Sequence, residues 1–140
     1  MTLQLPSEIV VERFLPTLRV RLAAALDDRG MTQQEIADRL GVTQASVSNY
    51  VGGGVEGEAR FLEDPRFEAT VERIAEGFAD GTMDDYEAIA ELLELIRAFE
   101  DRGPICAIHE AEVPALRGLG CDLCIRGRDA DLRAERTAIE

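Results

Sequence analysis

Apolar residues recur at helical spacing from the start of this chain. Between residues 7 and 29 they fall three or four positions apart, which predicts a helix that begins near Ser7 and ends at Gly30. Pro16 lies inside this stretch. Because proline removes one backbone donor, we expect it to kink the helix or to begin a second helix there.

Two short helices with recognisable caps are predicted next. Thr32 is a suitable N-cap, Glu35 completes a capping box with it, and Gly41 ends the first helix. Thr43 is then the N-cap of the second helix, which ends before the triple glycine at 52–54.

Two longer helices complete the periodic part of the chain. Asp64 and Pro65 are typical of a helix start, and Gly81 closes that helix. Thr82 or Asp84 begins the longest helix, which has a broad apolar stripe. The stripe consists of Tyr86, Ile89, Leu92, Leu93, Leu95, Ile96 and Phe99.

The helical pattern stops at Gly103 and Pro104. No sustained period follows up to residue 126, and the charged residues after it are expected to form a frayed or loosely helical tail. The predicted fold class is therefore all-α, with one modest core. Four parts are expected: a helical domain at 1–81, the long helix at 82–102, a Cys/His segment at 103–126 and the tail at 127–140.

The composition agrees with a helical fold and argues against a membrane protein. Hydrophobic residues make up 46% of the chain and Trp is absent, which favours a core of Leu, Ile, Val and Ala. No apolar run approaches the roughly 18–20 residues that span a bilayer, and the N-terminus lacks the pattern of an export signal. We therefore expect a cytoplasmic protein without a membrane partner.

Residues 32–50 have the pattern of two short helices that cross through a tight turn. Ala37 is small where the second helix would cross, and Gly41 permits the left-handed conformation that redirects the chain. Ile36, Leu40, Val42 and Val47 would share a small core. The second helix would then project short or amide-bearing side chains outward, namely Gln44, Ala45, Ser46, Ser48 and Asn49.

This segment resembles the lambda-repressor and Cro type of helix-turn-helix, in which a Gln opens each helix and a Gly lies in the turn. The resemblance implies a lambda-repressor-like fold over about residues 9–80 and a sequence-specific transcription regulator that binds double-stranded DNA. It implies that Gln33 bonds a phosphate, that Gln44 pairs with adenine in the major groove and that Ala45 touches a thymine methyl. The candidate DNA-binding residues are Gln33, Arg39, Thr43, Gln44, Ala45, Ser46, Ser48 and Asn49.

The net charge of −13 is unusual for a nucleic-acid binder, but the acidic residues are concentrated in the middle of the chain. Residues 1–54 carry five Arg and six acidic residues, whereas residues 55–102 carry five Arg and fifteen. Arg13, Arg19, Arg21 and Arg39 could therefore face DNA. All 15 basic residues are Arg, which, with the acidic excess, resembles proteins of extreme halophiles.

All three Cys and the single His lie between residues 106 and 124. They form Cys106-x-x-His109 and Cys121-x-x-Cys124, and the two-residue gaps suit a shared metal ion. A disulfide would leave one thiol over and is disfavoured in a reducing cytosol. Zinc is common in Cys₃His sites, but nearby apolar residues could also shield an iron–sulfur cluster that senses iron or redox state, and both remain open. The pattern also resembles predicted archaeal regulators that join this helix-turn-helix to a cysteine-rich segment.

Other functions remain as alternatives. The acidic helices could bind a protein partner, as in an adaptor or antitoxin-like regulator with only a structural zinc site. Cys121 and Cys124 could form a redox-active dithiol, as in a small thiol oxidoreductase. No catalytic constellation is evident, so we do not expect an enzyme. The wide stripe of the longest helix predicts a homodimer.

Overall fold

A computed structural model describes residues 3–125, and this part of the chain is helical, without strands, as the sequence predicts. The charged tail at 127–140 lies outside the described residues. The helices are α1 (Pro6–Ile9), α2 (Leu15–Asp28), α3 (Gln33–Leu40), α4 (Gln44–Val51), α5 (Ala59–Leu62), α6 (Pro65–Asp80), α7 (Asp85–Glu100) and α8 (Pro104–Glu112). A π-helical turn (Val10–Phe14) joins α1 to α2, and a 3₁₀ turn (Pro114–Leu116) follows α8.

The predicted break at Pro16 takes the form of a widened turn within a continuous helical run. The amide of Leu15 donates to the carbonyl of Val10, five residues earlier. Pro16, which has no amide hydrogen to donate, is the second residue of α2. The π-turn thus carries the chain past the proline.

The caps of α3 and α4 confirm the predicted helix-turn-helix geometry. The Thr32 hydroxyl accepts from the Glu35 amide at 3.1 Å, and the Glu35 carboxylate accepts from the Thr32 amide at 3.2 Å. Gly41 ends α3 with φ of 69°, in the left-handed region that glycine adopts without steric cost. Ile36, Ala37 and Val47 are buried in the crossing of the two helices.

The two longer helices begin at predicted caps and α6 ends at its predicted residue, whereas α7 ends at Glu100, before the predicted end at residue 102. Asp64 is the N-cap of α6 and Asp84, rather than Thr82, is the N-cap of α7. Gly81 ends α6 in the left-handed conformation. One turn earlier, a side chain at Gly77 would collide with Cβ of Met83, so the α6–α7 connection crosses closely over this glycine.

Four phenylalanine rings form the centre of the core. Phe14 makes edge-to-face contacts with Phe61, Phe67 and Phe99, with ring centroids 5.4, 6.0 and 6.0 Å apart. Phe61 stacks on Phe99 at 5.7 Å. Because these rings come from the π-turn, α5, α6 and α7, one cluster joins the N-terminal domain to the long helix.

Two segments differ from the sequence-based expectation. Residues 55–63 have no helix predicted from the sequence, but they contain α5, and Phe61 within it is fully buried. Residues 105–126 are expected to be aperiodic, but Pro104–Glu112 forms a helix in which Ile105 and Ile108 are buried. One buried position in α5 and two in α8 are too few to produce a clear periodic signal.

The core position of Phe61 gives a testable prediction. Truncation by Phe61→Ala should reduce the free energy of unfolding by about 3–5 kcal/mol, because it leaves a cavity among the other three rings. The matched control is Leu62→Ala at the next residue, whose side chain is 37% exposed, against 0% for Phe61. The two variants are compared by denaturant unfolding, and equal losses would contradict the assigned core.

Candidate nucleic-acid interface and Cys/His cavity

The outer face of α4 is a surface of small and amide side chains. Gln44, Ala45, Ser48 and Asn49 are exposed there, while Val47 points into the core. No residue of Gln44–Val51 is charged. The arrangement can donate and accept hydrogen bonds along a groove floor, although it brings no positive charge to it.

Thr43 and Ser46 form the N-cap of α4. The Thr43 hydroxyl accepts from the Ser46 amide at 3.1 Å and lies 2.9 Å from the Ser46 hydroxyl. Ser46 is only half-exposed, and its hydroxyl contacts the Thr43 hydroxyl within the N-cap. Gln33 is the first residue of α3 and is also half-exposed. The contact of each of these residues with DNA stays a prediction.

Asn49 is positioned by the glycines that follow α4. A Cβ at Gly54 would collide with the Asn49 side-chain oxygen, and the Gly54 amide donates to the Asn49 carbonyl at 2.9 Å. A side chain at Gly54 would therefore require the exposed Asn49 side chain to move. From the sequence, the same glycines indicate only the end of a helix.

Arg39 is engaged within the protein. Its guanidinium donates to the Met83 carbonyl at 3.0 Å, lies 3.2 Å from the Asp85 carboxylate and sits 4.0 Å from the centre of the Phe78 ring. These contacts join α3 to the start of α7. The Arg39 side chain is 32% exposed, and its contact with DNA stays a prediction.

Other N-terminal arginines also have acidic partners. Arg21 in α2 forms an ion pair with Glu68 at 2.5 Å, and Arg29, the C-cap of α2, forms one with Glu72 at 2.7 Å. Both pairs join α2 to α6. The hydrogen bond from Arg29 holds the pKa of the Glu72 carboxyl below its ordinary value. These arginines stabilise the body of the protein, whereas α4 itself is uncharged.

The two Cys/His pairs, far apart in sequence, line one cavity. Cys106 and His109 lie one turn apart on α8, and Cys121 and Cys124 lie on the segment that folds back after the 3₁₀ turn. The walls also include apolar Pro6, Ile105, Leu116 and Ile125, and the carboxylates of Glu100, Glu110 and Asp122. We call this space the Cys/His cavity.

The Cys/His cavity is not a formed metal site, since no group of three Cys, His, Asp or Glu side chains among residues 3–125 is arranged to hold an ion. The three cysteines are free thiols. Burial raises the pKa of the Cys106 thiol, and the Glu110 carboxylate adds to the effect. Cys106 itself therefore lacks the electropositive surrounding that activates a redox cysteine.

Besides the core packing of Ile105 and Ile108, two polar contacts join the Cys/His segment to residues near the N-terminus. The His109 Nε2 atom lies 2.5 Å from the Gln4 carbonyl oxygen, just before α1. Arg13, on the π-turn, forms an ion pair with Glu112 of α8 and lies 3.6 Å from Glu58, in the loop after α4. Arg13 thus links α8 to the segment that follows the candidate DNA-binding helix. The sequence carried no signal for these contacts, which join residues about a hundred positions apart.

One face of α7 is apolar and exposed. Leu95 and Phe99 face the core, but Tyr86, Ile89 and Leu93 are 82%, 56% and 45% exposed, and we call these three the α7 apolar surface. Beside it lies a groove of about 470 Å³ between α2, α3, α6 and α7, which includes Leu15, Leu18, Leu22, Phe78 and Leu92 in its walls.

Comparison with known proteins supports the helix-turn-helix. Residues 22–55 match the family model described as helix-turn-helix, a segment that comprises the end of α2, all of α3 and α4, and the glycine turn. No curated protein and no solved structure matches the chain. The match supports a DNA-binding regulator. Within residues 3–125, no helix is long and apolar enough to cross a bilayer.

The position of Arg39 gives a second prediction. Arg39→Lys should lower the melting temperature, because an ammonium cannot reproduce the planar contacts with Phe78, Met83 and Asp85. The control Asp85→Asn removes the exposed ion pair and one acidic residue from the first turn of α7, and it should cost less than about 1 kcal/mol. Thermal unfolding and DNA titration are measured on both variants. Weaker DNA binding at an unchanged melting temperature would instead indicate a phosphate contact.

Proposed function

We propose that this protein is a sequence-specific transcription regulator that inserts α4 into the major groove of double-stranded DNA. The observation that carries the proposal is the outer face of α4, on which Gln44, Ala45 and Ser48 are exposed while Val47 anchors the helix in the core. An exposed glutamine at the helix start can form two hydrogen bonds with an adenine edge, and Ala45 can contact a thymine methyl.

The distribution of charge favours recognition through hydrogen bonds rather than through phosphate attraction. α4 is uncharged, and Arg13, Arg21, Arg29 and Arg39 have carboxylate partners within the protein. At molar salt the Debye length is about 3 Å, so long-range attraction to phosphate contributes little. At such salt concentrations a protein of net charge −13 can still bind DNA through hydrogen bonds to base edges in the groove.

A homodimer is part of the proposal, with the α7 apolar surface as its contact. The exposed Tyr86, Ile89 and Leu93 lie at a largely apolar groove, whose wall includes Ile89 itself and the charged Arg19, Asp38, Arg39 and Asp85. A two-fold interface pairs a patch with its own copy, and a protrusion next to a groove is self-complementary in this way. Such a dimer would present two α4 helices to half-sites about 34 Å apart.

We further propose that the Cys/His segment is metal-dependent and regulates the DNA-binding domain. Its four side chains line one cavity, and α8 contacts the N-terminal domain through Gln4 and Arg13. A change in the segment would be transmitted through Arg13 to Glu58, in the loop after α4. Loss of the metal is expected to weaken this contact.

The role of Gln44 gives a third prediction. Gln44→Ala should weaken binding to the preferred sequence by about 5- to 150-fold, which corresponds to about 1–3 kcal/mol for a bidentate base contact, and should affect random DNA much less. The matched control is Gln34→Ala on α3, since the Gln34 amide donates to Asp38 at 2.8 Å. Operator selection followed by titration measures both. Equal losses on both kinds of DNA would show that Gln44 does not contact bases.

The proposed dimer gives a fourth prediction. Ile89→Glu should convert the dimer to a monomer at micromolar concentration, because it buries a charge in the contact. The control Val11→Glu places the same charge on another exposed apolar side chain, 62% exposed, and should leave the dimer intact. Light scattering reports the mass and circular dichroism the fold. A monomeric parent protein at that concentration would exclude the proposed interface.

A further inference from the structure

We propose that the Cys/His cavity binds one divalent ion of the zinc class rather than an iron–sulfur cluster. The ligands are the thiolates of the three cysteines and the Nδ1 atom of His109. This inference rests on the proposed metal dependence of the segment and identifies the ion, its ligands and its link to the N-terminus.

The four side chains supply soft donors of the right number and kind for a tetrahedral ion, although in the described structure they are not gathered around one point. Three sulfurs and one imidazole line the same cavity, and thiolates select zinc-class ions over magnesium or calcium. The carboxylates of Glu100, Glu110 and Asp122 in the wall make the surroundings more negative, which favours a cation. Binding would release the protons of the thiols and draw the four ligands together, as is usual where metal binding is coupled to local folding.

The enclosed part of the Cys/His cavity has room for a single ion. Its volume is about 10 Å³, about one water-sized sphere, and a wider opening of about 310 Å³ adjoins it at Cys106 and Cys121. An iron–sulfur cluster requires space for at least two irons and their bridging sulfides between the ligands. The cavity cannot easily widen inward, because Ile105 in its wall is fully buried in the close-packed core.

The Gln4 carbonyl determines which nitrogen of His109 coordinates. A carbonyl oxygen can only accept a hydrogen bond, so Nε2, at 2.5 Å from it, is the nitrogen that carries the hydrogen. In a neutral imidazole the Nδ1 atom then keeps its lone pair for the metal. A backbone carbonyl in this position is a common outer partner of a metal-bound histidine. The ion would therefore fix the segment before α1 as well as α8.

The test uses the full-length chain, purified anaerobically and then stripped of metal in the presence of a reductant. Cobalt(II) is added first, because its absorption reports tetrahedral thiolate coordination, and zinc(II) is then added to displace it. We expect one ion per chain and a rise in melting temperature with zinc, by mass action. Brown protein that contains several irons and acid-labile sulfide, or protein that binds neither ion, would overturn the inference.

Variants test the ligand set. Cys106→Ser, Cys124→Ser and His109→Ala should each lower zinc affinity by more than the roughly 10- to 100-fold loss typical of an outer partner. Glu110→Gln, in the same wall, should lower it far less, and the reverse order would overturn the assignment of His109. Helicity by circular dichroism identifies any variant that fails to fold, and the cobalt spectrum of the unaltered chain still decides the question in that case.

DNA affinity, measured on the same preparations with and without zinc, separates the inference from the proposed function. One tightly bound zinc with no effect on DNA affinity supports the proposed zinc site while contradicting metal-dependent regulation. Conversely, DNA binding by a chain that takes up no zinc would support the regulator and overturn the site.

Discussion

The aromatic contacts of Phe14 are the interaction on which the described structure depends. Its ring packs edge-to-face on Phe61, Phe67 and Phe99, which arrive from three separate helices. The π-turn that brings Phe14 there is also the place where the chain passes Pro16, and it carries Arg13 toward α8. One irregular turn therefore positions both the core and the contact between the two ends of the molecule.

The charges of this protein serve its architecture more than its candidate DNA surface. Arg21 and Arg29 join α2 to α6, and Arg39 joins α3 to the start of α7. Each pair is partly exposed and contributes little by itself, but together they orient the helices around α3 and α4. The acidic excess is compatible with DNA binding because the exposed face of α4 is neutral.

Local features were the most predictable part of the molecule. The capping box of Thr32 and Glu35, the left-handed Gly41 and the Asp84 cap depend on residues within one turn of each other, so the sequence reports them directly. The same holds for the outward face of α4. By contrast, the sequence does not predict α5 and α8, since each buries at most two side chains and these show no period until the partner helices are present.

Three features of this protein were determined by the sequence alone: the all-α fold, the helix-turn-helix with an uncharged outer face, and the two Cys/His pairs at ligand spacing. Only the tertiary structure decided that Arg39 turns toward Asp85, that apolar and acidic residues surround the two Cys/His pairs and that His109 reaches Gln4. The physical reason is the range of the interactions. Caps and amphipathic faces arise between near neighbours, whereas ion pairs and cavities join residues that the fold alone brings together.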